Sequence, residues 1–244
     1  MSLEEELLDS RSLKAGDVHY RAYVGPPNQY DFMGATQFRL LTMLGLREEH
    51  RLLDLGCGSL RAGRLLLAYL LPGRYCGVDP NRWLIEKAVA TEIGQEMLAI
   101  KQPLFSHSDN FELEELGRTF DFVVAQSIFS HTGKALLERG IEAVSKVLDE
   151  HGQFLFTVLT EGAPAYERFE QGKDIAGWEY PACVTFPESE IVELSGRYGL
   201  ISERLAWFHP RQIWYRAVRD PELVLGALTS ELGSGRVFFD PRFP

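Results

Sequence analysis

Three features of the sequence indicate a doubly wound, three-layer α/β fold with a mostly parallel seven-stranded sheet. Strand-like runs alternate with stretches of helical spacing from about residue 49 to 219, the pattern of a sheet covered by helices on both faces. The first run, Arg51-Leu52-Leu53-Asp54-Leu55, stops at an acid and a glycine turn, Gly56-Cys57-Gly58. The last two runs are joined by His209-Pro210-Arg211, a hairpin connection, and strands joined that way run antiparallel.

Each element has its own justification. Residues 1–48 are expected to form a strap or lid followed by a helix. They hold a short amphipathic segment, Leu3 to Leu13, and an aromatic stretch with Tyr20, Tyr23 and Tyr30. Gly25-Pro26-Pro27-Asn28 breaks any helix there, and a helix follows from about Gly34 to Leu46. Strands are expected at 51–55, 74–79, 103–107, 120–125 and 153–159. Helical spacing fills 61–71, 82–93 and 133–148, with a short helical turn at 112–117. Residues 161–187 lapse into a loop with Tyr166, Trp178 and Tyr180, long enough to expect a role as a lid or substrate loop. A helix from 187 to 198 and the hairpin of 200–208 with 212–218 close the core, read as 49–220. The tail, 221–244, has a short helical piece and an aromatic end suited to packing on its own chain or on a second copy, which leaves a homo-oligomer open.

The bulk properties bound the function. No apolar run reaches the roughly 18 residues of a membrane-spanning helix, and the acidic start is unlike a secretory signal, so a cytoplasmic protein without membrane contact is expected. Cys57, Cys76 and Cys183 lack metal-type spacing, which fits buried free thiols and no metal site. A formal net charge of −10 disfavours a broad nucleic-acid surface, which relies on clustered Lys and Arg.

The cradle narrows the ligand. A dinucleotide fingerprint requires a small residue at the sixth position of Gly-x-Gly-x-x-Gly/Ala, where Arg61 stands. Asp54 would repel a pyrophosphate but suits a ligand with an amino group. An acid, then Gly-x-Gly, with Asp79 closing the second strand 21 residues after Gly58, resembles the motifs of the class I S-adenosylmethionine-dependent methyltransferases. In that family a third glycine often stands where this chain has Leu60. The resemblance covers about residues 49 to 219, and its fold is a Rossmann-like sheet whose last strand is antiparallel.

The resemblance implies S-adenosylmethionine as cofactor and a set of residues to hold it. Asp54, Gly56, Cys57, Gly58 and Ser59 form the cradle, and Arg61 pairs with the methionyl carboxylate, unless it is simply a solvated helix-start arginine. Asp79, with Pro80 and Asn81, takes the ribose. Asp109, with Asn110 and Phe111, takes the adenine. Gln126 and Ser127 sit at the mouth after the fourth strand. His131 and His209 are candidate bases because a histidine titrates near neutrality, although either could be structural. Tyr23, Tyr30, Tyr166, Trp178, Tyr180 and Gln212 are candidate acceptor contacts, although ordinary packing explains each one alone. The expected activity is methyl transfer to an O or N atom of a small metabolite. The alternatives are an RNA or protein methyltransferase, a cofactor-binding module without turnover, and an NAD-dependent oxidoreductase.

Overall fold

The computed structural model describes residues 12–166, 177–178 and 182–234. Seven strands form one sheet: β1 (Leu52–Leu55), β2 (Tyr75–Val78), β3 (Leu104–Ser106), β4 (Phe120–Ala125), β5 (Leu148–Val158), β6 (Ile201–Leu205) and β7 (Ile213–Val218). Their spatial order is β3-β2-β1-β4-β5-β7-β6. Strands β1 to β5 pair in parallel, and β7 runs antiparallel to both neighbours. The order reverses between β1 and β4, and the carboxyl ends of strands at such a switch point open a crevice for a ligand.

The helices are α1 (Tyr20–Tyr23), α2 (Tyr30–Met43), α3 (Gly63–Tyr69), α4 (Arg82–Ala88), α5 (Gln95–Lys101), α6 (Lys134–Val147) and α7 (Glu188–Arg197). The period-2 alternation of a strand sends successive side chains to opposite faces, and each face has its own core. Leu53, Val123, Phe154 and Ala217 pack against Leu137, Ile141 and Val144 of α6 and Ile191 and Leu194 of α7. Leu52, Val124, Leu155 and Trp214 pack against Leu40 and Leu41 of α2, Leu66 of α3 and Leu84 of α4. All four residues of β1 are buried, so the sheet centre is dry on both sides and Asp54 is an acid in an apolar wall.

Several boundaries differ from the sequence expectation. Helix α2 starts at Tyr30, four residues before Gly34. Strand β5 begins at Leu148, with an irregular register against β4 between Phe120 and Phe122. Helix α5 was not anticipated: it is a single short stretch with no fully buried residue, and only Leu98 packs against the core. A π-helical turn, Val89–Ile93, continues α4. The turn of the final hairpin spans 206–212, wider than the three residues expected. In place of an α-helix the tail holds two 3-10 segments, Pro221–Leu223 and Gly226–Ser234. Glu203 of β6 accepts from the backbone N–H groups of Leu225 and Gly226 and pairs with Arg216 of β7 at 2.7 Å, which ties the tail to the sheet. Most of Leu3 to Leu13 and the aromatic end from Val237 lie outside the described residues. Among those described, no helix is long and apolar enough to cross a membrane.

Candidate functional site

A cavity of about 700 Å³ opens at the carboxyl ends of β1, β2 and β4, within the roughly 300–1,000 Å³ usual for ligand pockets. Its floor is the turn after β1. Gly56 and Gly58 have φ of +76° and +52°, and neither could carry a side chain. A Cβ on Gly56 would come within 1.9 Å of Ile128 Cδ1, and one on Gly58 within 2.7 Å of Val24 Cγ1. Leu60, where the third glycine was missing, nonetheless adopts the left-handed conformation, with φ of +57°. Its buried side chain packs in the core, and this burial offsets the roughly 1–2 kcal/mol that a left-handed non-glycine residue costs.

Two carboxylates are positioned by that turn. Asp54 accepts from the Tyr75 hydroxyl at 2.8 Å. Burial pushes its pKa up to about 6 against the opposing effects of the Tyr75 bond and the Arg61 charge. Asp79 accepts from the Gly58 backbone N–H at 2.9 Å through Oδ2 and from Asn81 through Oδ1. His107 Nδ1 bonds the Asp79 carbonyl at 2.9 Å, holding the strand end in place. Arg61 lines the cavity and donates from Nη1 to the Val24 carbonyl at 2.9 Å. The thiol of buried Cys57 is held protonated, its pKa raised first by burial and then by Asp54 and Asp79.

The two candidate histidines are committed in opposite ways. His131 Nδ1 lies 2.6 Å from the Ala182 carbonyl. A carbonyl only accepts, so Nδ1 carries the proton and the neutral ring keeps its lone pair on Nε2. Burial, and then the Arg211 charge, lowers the His131 pKa. His209 Nδ1 instead accepts from the backbone N–H groups of Arg211 and Gln212 at 3.2 and 2.9 Å. Its proton is therefore on Nε2, which donates to Ser127 Oγ at 3.3 Å. Burial, followed by the charges of Arg61 and Arg211, lowers the His209 pKa to about 3. This corrects the expectation of His209 as a base: both ring nitrogens are engaged and the ring resists protonation, so it holds Ser127 in place.

Of the residues singled out in the sequence, the cavity brings together Tyr23, Asp54, Gly56, Cys57, Gly58 and Arg61 with Asp79, Pro80, Asn81, Asp109 and Phe111. Gln126, Ser127, His131, Trp178 and His209 complete that set. Five others are absent from the lining. Tyr30 is buried beneath the cradle, its hydroxyl donating to the Ser59 carbonyl at 2.7 Å, so Tyr30 and Ser59 brace the turn from behind. Asn110 accepts from Ser108 Oγ at 2.7 Å. Tyr166 packs beside Leu159, Ala163 and Ala165. Gln212 donates to Ser127 Oγ at 3.1 Å, one layer behind the surface. Tyr180 lies outside the described residues. Trp178 stands close to Phe111, ring centroids 5.8 Å apart, and donates to the Asp109 carbonyl at 3.4 Å. Its backbone also bridges to Thr132, beside His131, so it spans from the Asp109–Phe111 loop to the His131 side of the cavity.

Sequence reasoning missed part of the wall. Gln29, Met33 and Gln37 line the cavity at a four-residue spacing that puts them on one helical face, a signal present in the sequence. Ile128 and Arg211 also line it, and Arg211 adjoins the His209-Pro210 pair that was noticed.

The crevice at a switch point, the glycine cradle and the acids closing β1 and β2 make a Rossmann-like fold of the kind found in S-adenosylmethionine-dependent methyltransferases. Residues 53–154 match the model of a family described as a methyltransferase domain. Similar folds occur in the S-adenosylhomocysteine-bound magnesium protoporphyrin IX methyltransferase of Synechocystis, 18% identical, with a TM-score of 0.57 over 89% of this chain and 94% of that one. A sugar N-methyltransferase from a Streptoalloteichus species is 18% identical, with a TM-score of 0.56 over 78% and 88% of the two chains. An S-adenosylmethionine-dependent methyltransferase from Clostridium acetobutylicum is 14% identical, with a TM-score of 0.58 over 88% and 98%.

Proposed function

We propose that this chain methylates an oxygen or nitrogen atom of a small molecule, with His131 as the general base. The observation that carries this reading is the tautomer of His131. Its Nδ1–H is spent on the Ala182 carbonyl, so the basic nitrogen is Nε2, on a ring that lines the same cavity as Asp54 and Asp79.

The cavity fits the cofactor. The side-chain-free turn at Gly56 and Gly58 admits a ligand close to the backbone, Asp79 stands at the end of β2 beside that turn, and both amide atoms of Gln126 are buried without a partner. In this reading Asp54 faces the amino group, Arg61 the carboxylate, and Asp109 and Phe111 the adenine. The bound cofactor supplies a methyl group on a positively charged sulfur, an electrophile that needs alignment more than activation. The chain's own tasks are to align the acceptor, exclude water and take up one proton. His131 Nε2 is placed to accept the proton that an O–H or N–H acceptor loses as its new bond to carbon forms.

The small-molecule reading rests on the cavity's size, its aromatic and apolar walls from Tyr23, Met33 and Ile128, and the acidic chain. The magnesium protoporphyrin IX and sugar methyltransferases named above give it a precedent on this fold.

Calorimetry tests the cofactor and product analysis tests the acceptor. S-adenosylhomocysteine should bind and NADH should not. Asp79→Ala should weaken S-adenosylhomocysteine by about 1–3 kcal/mol, the cost of a lost charge-assisted hydrogen bond; unchanged affinity would remove Asp79 from the ribose site. Methyl transfer to RNA or protein in a labelled-cofactor assay would overturn the small-molecule reading. Tight binding with no transfer to any acceptor would make the chain a binding module.

A further inference from the structure

Resting on that reading, the geometry points to an acceptor that carries a carboxylate, gripped by Arg211. The argument begins with the distribution of charge around the cavity. The acids lie together on the cradle side: Asp54 at the end of β1, Asp79 after β2 and Asp109 after β3. Two cations, Arg61 and Arg211, line the rest. The cofactor brings one carboxylate, and Arg61 is the cation beside the cradle, hydrogen-bonded to the strap at Val24. Arg211 remains without a counterpart.

Among the described residues Arg211 has no carboxylate partner, although Asp and Glu outnumber Lys and Arg by 35 to 25 in the chain. Its guanidinium acts on Arg61, His131 and His209, disfavouring the charge on each. Arg211 is solvent-exposed, so water carries its charge in the empty protein, and an anion bound there would take over that role and relieve the effect on its neighbours.

A second feature at the same end, on which the cofactor reading also draws, leaves polar atoms open to a ligand. Gln126 is 7% exposed and lines the cavity where β4 ends, yet both its amide oxygen and its nitrogen are buried with no hydrogen-bond partner. Leaving a buried donor and acceptor unsatisfied costs roughly 1–3 kcal/mol each, so the site is built to be completed by something else. Gln126 is followed by Ser127, whose hydroxyl is held by His209, and the His209 ring accepts from the Arg211 backbone N–H. The chain of contacts fixes the base of Arg211 relative to Gln126 while its side chain stays exposed. His209 thereby acts as a positioning residue for the hairpin turn.

The chemistry selects a carboxylate among anions. One unpaired unit charge matches a carboxylate better than a doubly charged phosphate. The planar guanidinium fork also presents parallel N–H groups to two carboxylate oxygens. The acceptor thus has a carboxylate held at the hairpin side and its reacting atom toward His131, between the two ends of the cavity.

The test uses the full chain with and without saturating S-adenosylhomocysteine, and titrates benzoate, benzamide and inorganic phosphate by calorimetry. Benzoate should bind about tenfold tighter than benzamide, the size of one charge-assisted contact. Arg211→Gln should erase that preference, Arg211→Lys should keep only part of it, and both should bind S-adenosylhomocysteine within about twofold of the parent. A parent with no benzoate preference, or a preference that survives in Arg211→Gln, overturns the assignment, as does phosphate binding more tightly than benzoate. A large loss of S-adenosylhomocysteine affinity in Arg211→Gln also overturns it, because Arg211 would then serve the cofactor's own carboxylate. Failure of the parent to bind S-adenosylhomocysteine at all, with the benzoate preference intact, would instead count against the methyltransferase reading.

Discussion

His131 and His209 are both histidines in turns at the active face, and the difference between them lies in what each Nδ1 touches. A carbonyl makes Nδ1 of His131 a donor, and two backbone N–H groups make Nδ1 of His209 an acceptor. The proton of His131 therefore sits on Nδ1, and that of His209 on Nε2, where it is given to Ser127. With an acceptor in hand, His131→Ala should lower kcat by about 10²–10⁴, the usual contribution of a general base, with S-adenosylhomocysteine affinity retained. The His131 pKa is lowered by burial, so the base form dominates at neutral pH and kcat should fall only as pH drops below the ordinary histidine range. His209→Asn should lower turnover without moving that pH profile. If His131→Ala turns over normally, or if the profile follows His209, the assignment fails. No sequence pattern carries this distinction, because it depends on the partners that a fold supplies. Asp54, Gly56, Gly58 and Asp79 were legible because an acid and a glycine turn at a strand end have a local meaning. Tyr30 was misread as a wall residue because aromatic character alone does not say which side of a helix faces the cavity.

The strap of residues before α2 is fastened by one acid. Glu92, in the π-helical turn after α4, accepts from the Tyr20 hydroxyl and Arg21 Nε at 2.7 Å each and from Arg64 Nη1 at 3.0 Å. Arg21 and Arg64 also lie over the Tyr30 ring, 4.6 and 5.2 Å from its centroid. Beyond this latch Val24 closes against Gly58, so the strap covers the cradle. Removing one partner of a buried ion pair leaves uncompensated charge and costs up to about 3–5 kcal/mol. The Arg64 side chain keeps 23% exposure and has Asp31 as a second partner, so the cost of Glu92→Gln falls below that bound. Glu92→Gln should therefore loosen the strap more than the sheet, and trypsin should cleave at Lys14 and Arg21 faster than in the parent, with S-adenosylhomocysteine slowing the cut. An unchanged digestion rate would show that the network does not hold the strap. Strands β1, β2 and β4 and helices α6 and α7 were legible because they bury one consistent face or run. Helix α5 buries no residue fully and packs only Leu98 against the core, and periodicity marks apolar faces, not ion pairs, so neither the latch nor its acid could be found from it.

Across the molecule, two perturbed groups in the cavity, His209 and Asp54, oppose each other in the pH dependence of stability. His209 has a folded pKa of about 3 against an ordinary 6.5, so its contribution is complete above 6.5 and is lost as pH falls toward 3, by about 5 kcal/mol in all. Asp54 runs the other way: its pKa is raised from 3.8 to about 6, so its contribution is complete below 3.8 and about 3 kcal/mol is lost as pH rises through 6. Between pH 4 and 6 these two slopes largely cancel, so the urea stability of the ligand-free protein over that window follows the other perturbed groups, His131 and Glu161, whose lowered pKa values make it rise with pH. The cofactor's ammonium breaks the balance. Set beside Asp54 it favours the carboxylate, so binding draws a proton off Asp54 and grows tighter as pH rises through 6. S-adenosylhomocysteine should then raise Tm more at pH 7.5 than at pH 5, and calorimetry in buffers of different ionisation enthalpy should register proton release near pH 6. Asp54→Asn should flatten both dependences while weakening binding at the higher pH. A stabilisation by S-adenosylhomocysteine that is equal at the two pH values in the parent would mean that the ammonium does not face Asp54, and the acid before the glycine turn would have to be given to another part of the ligand.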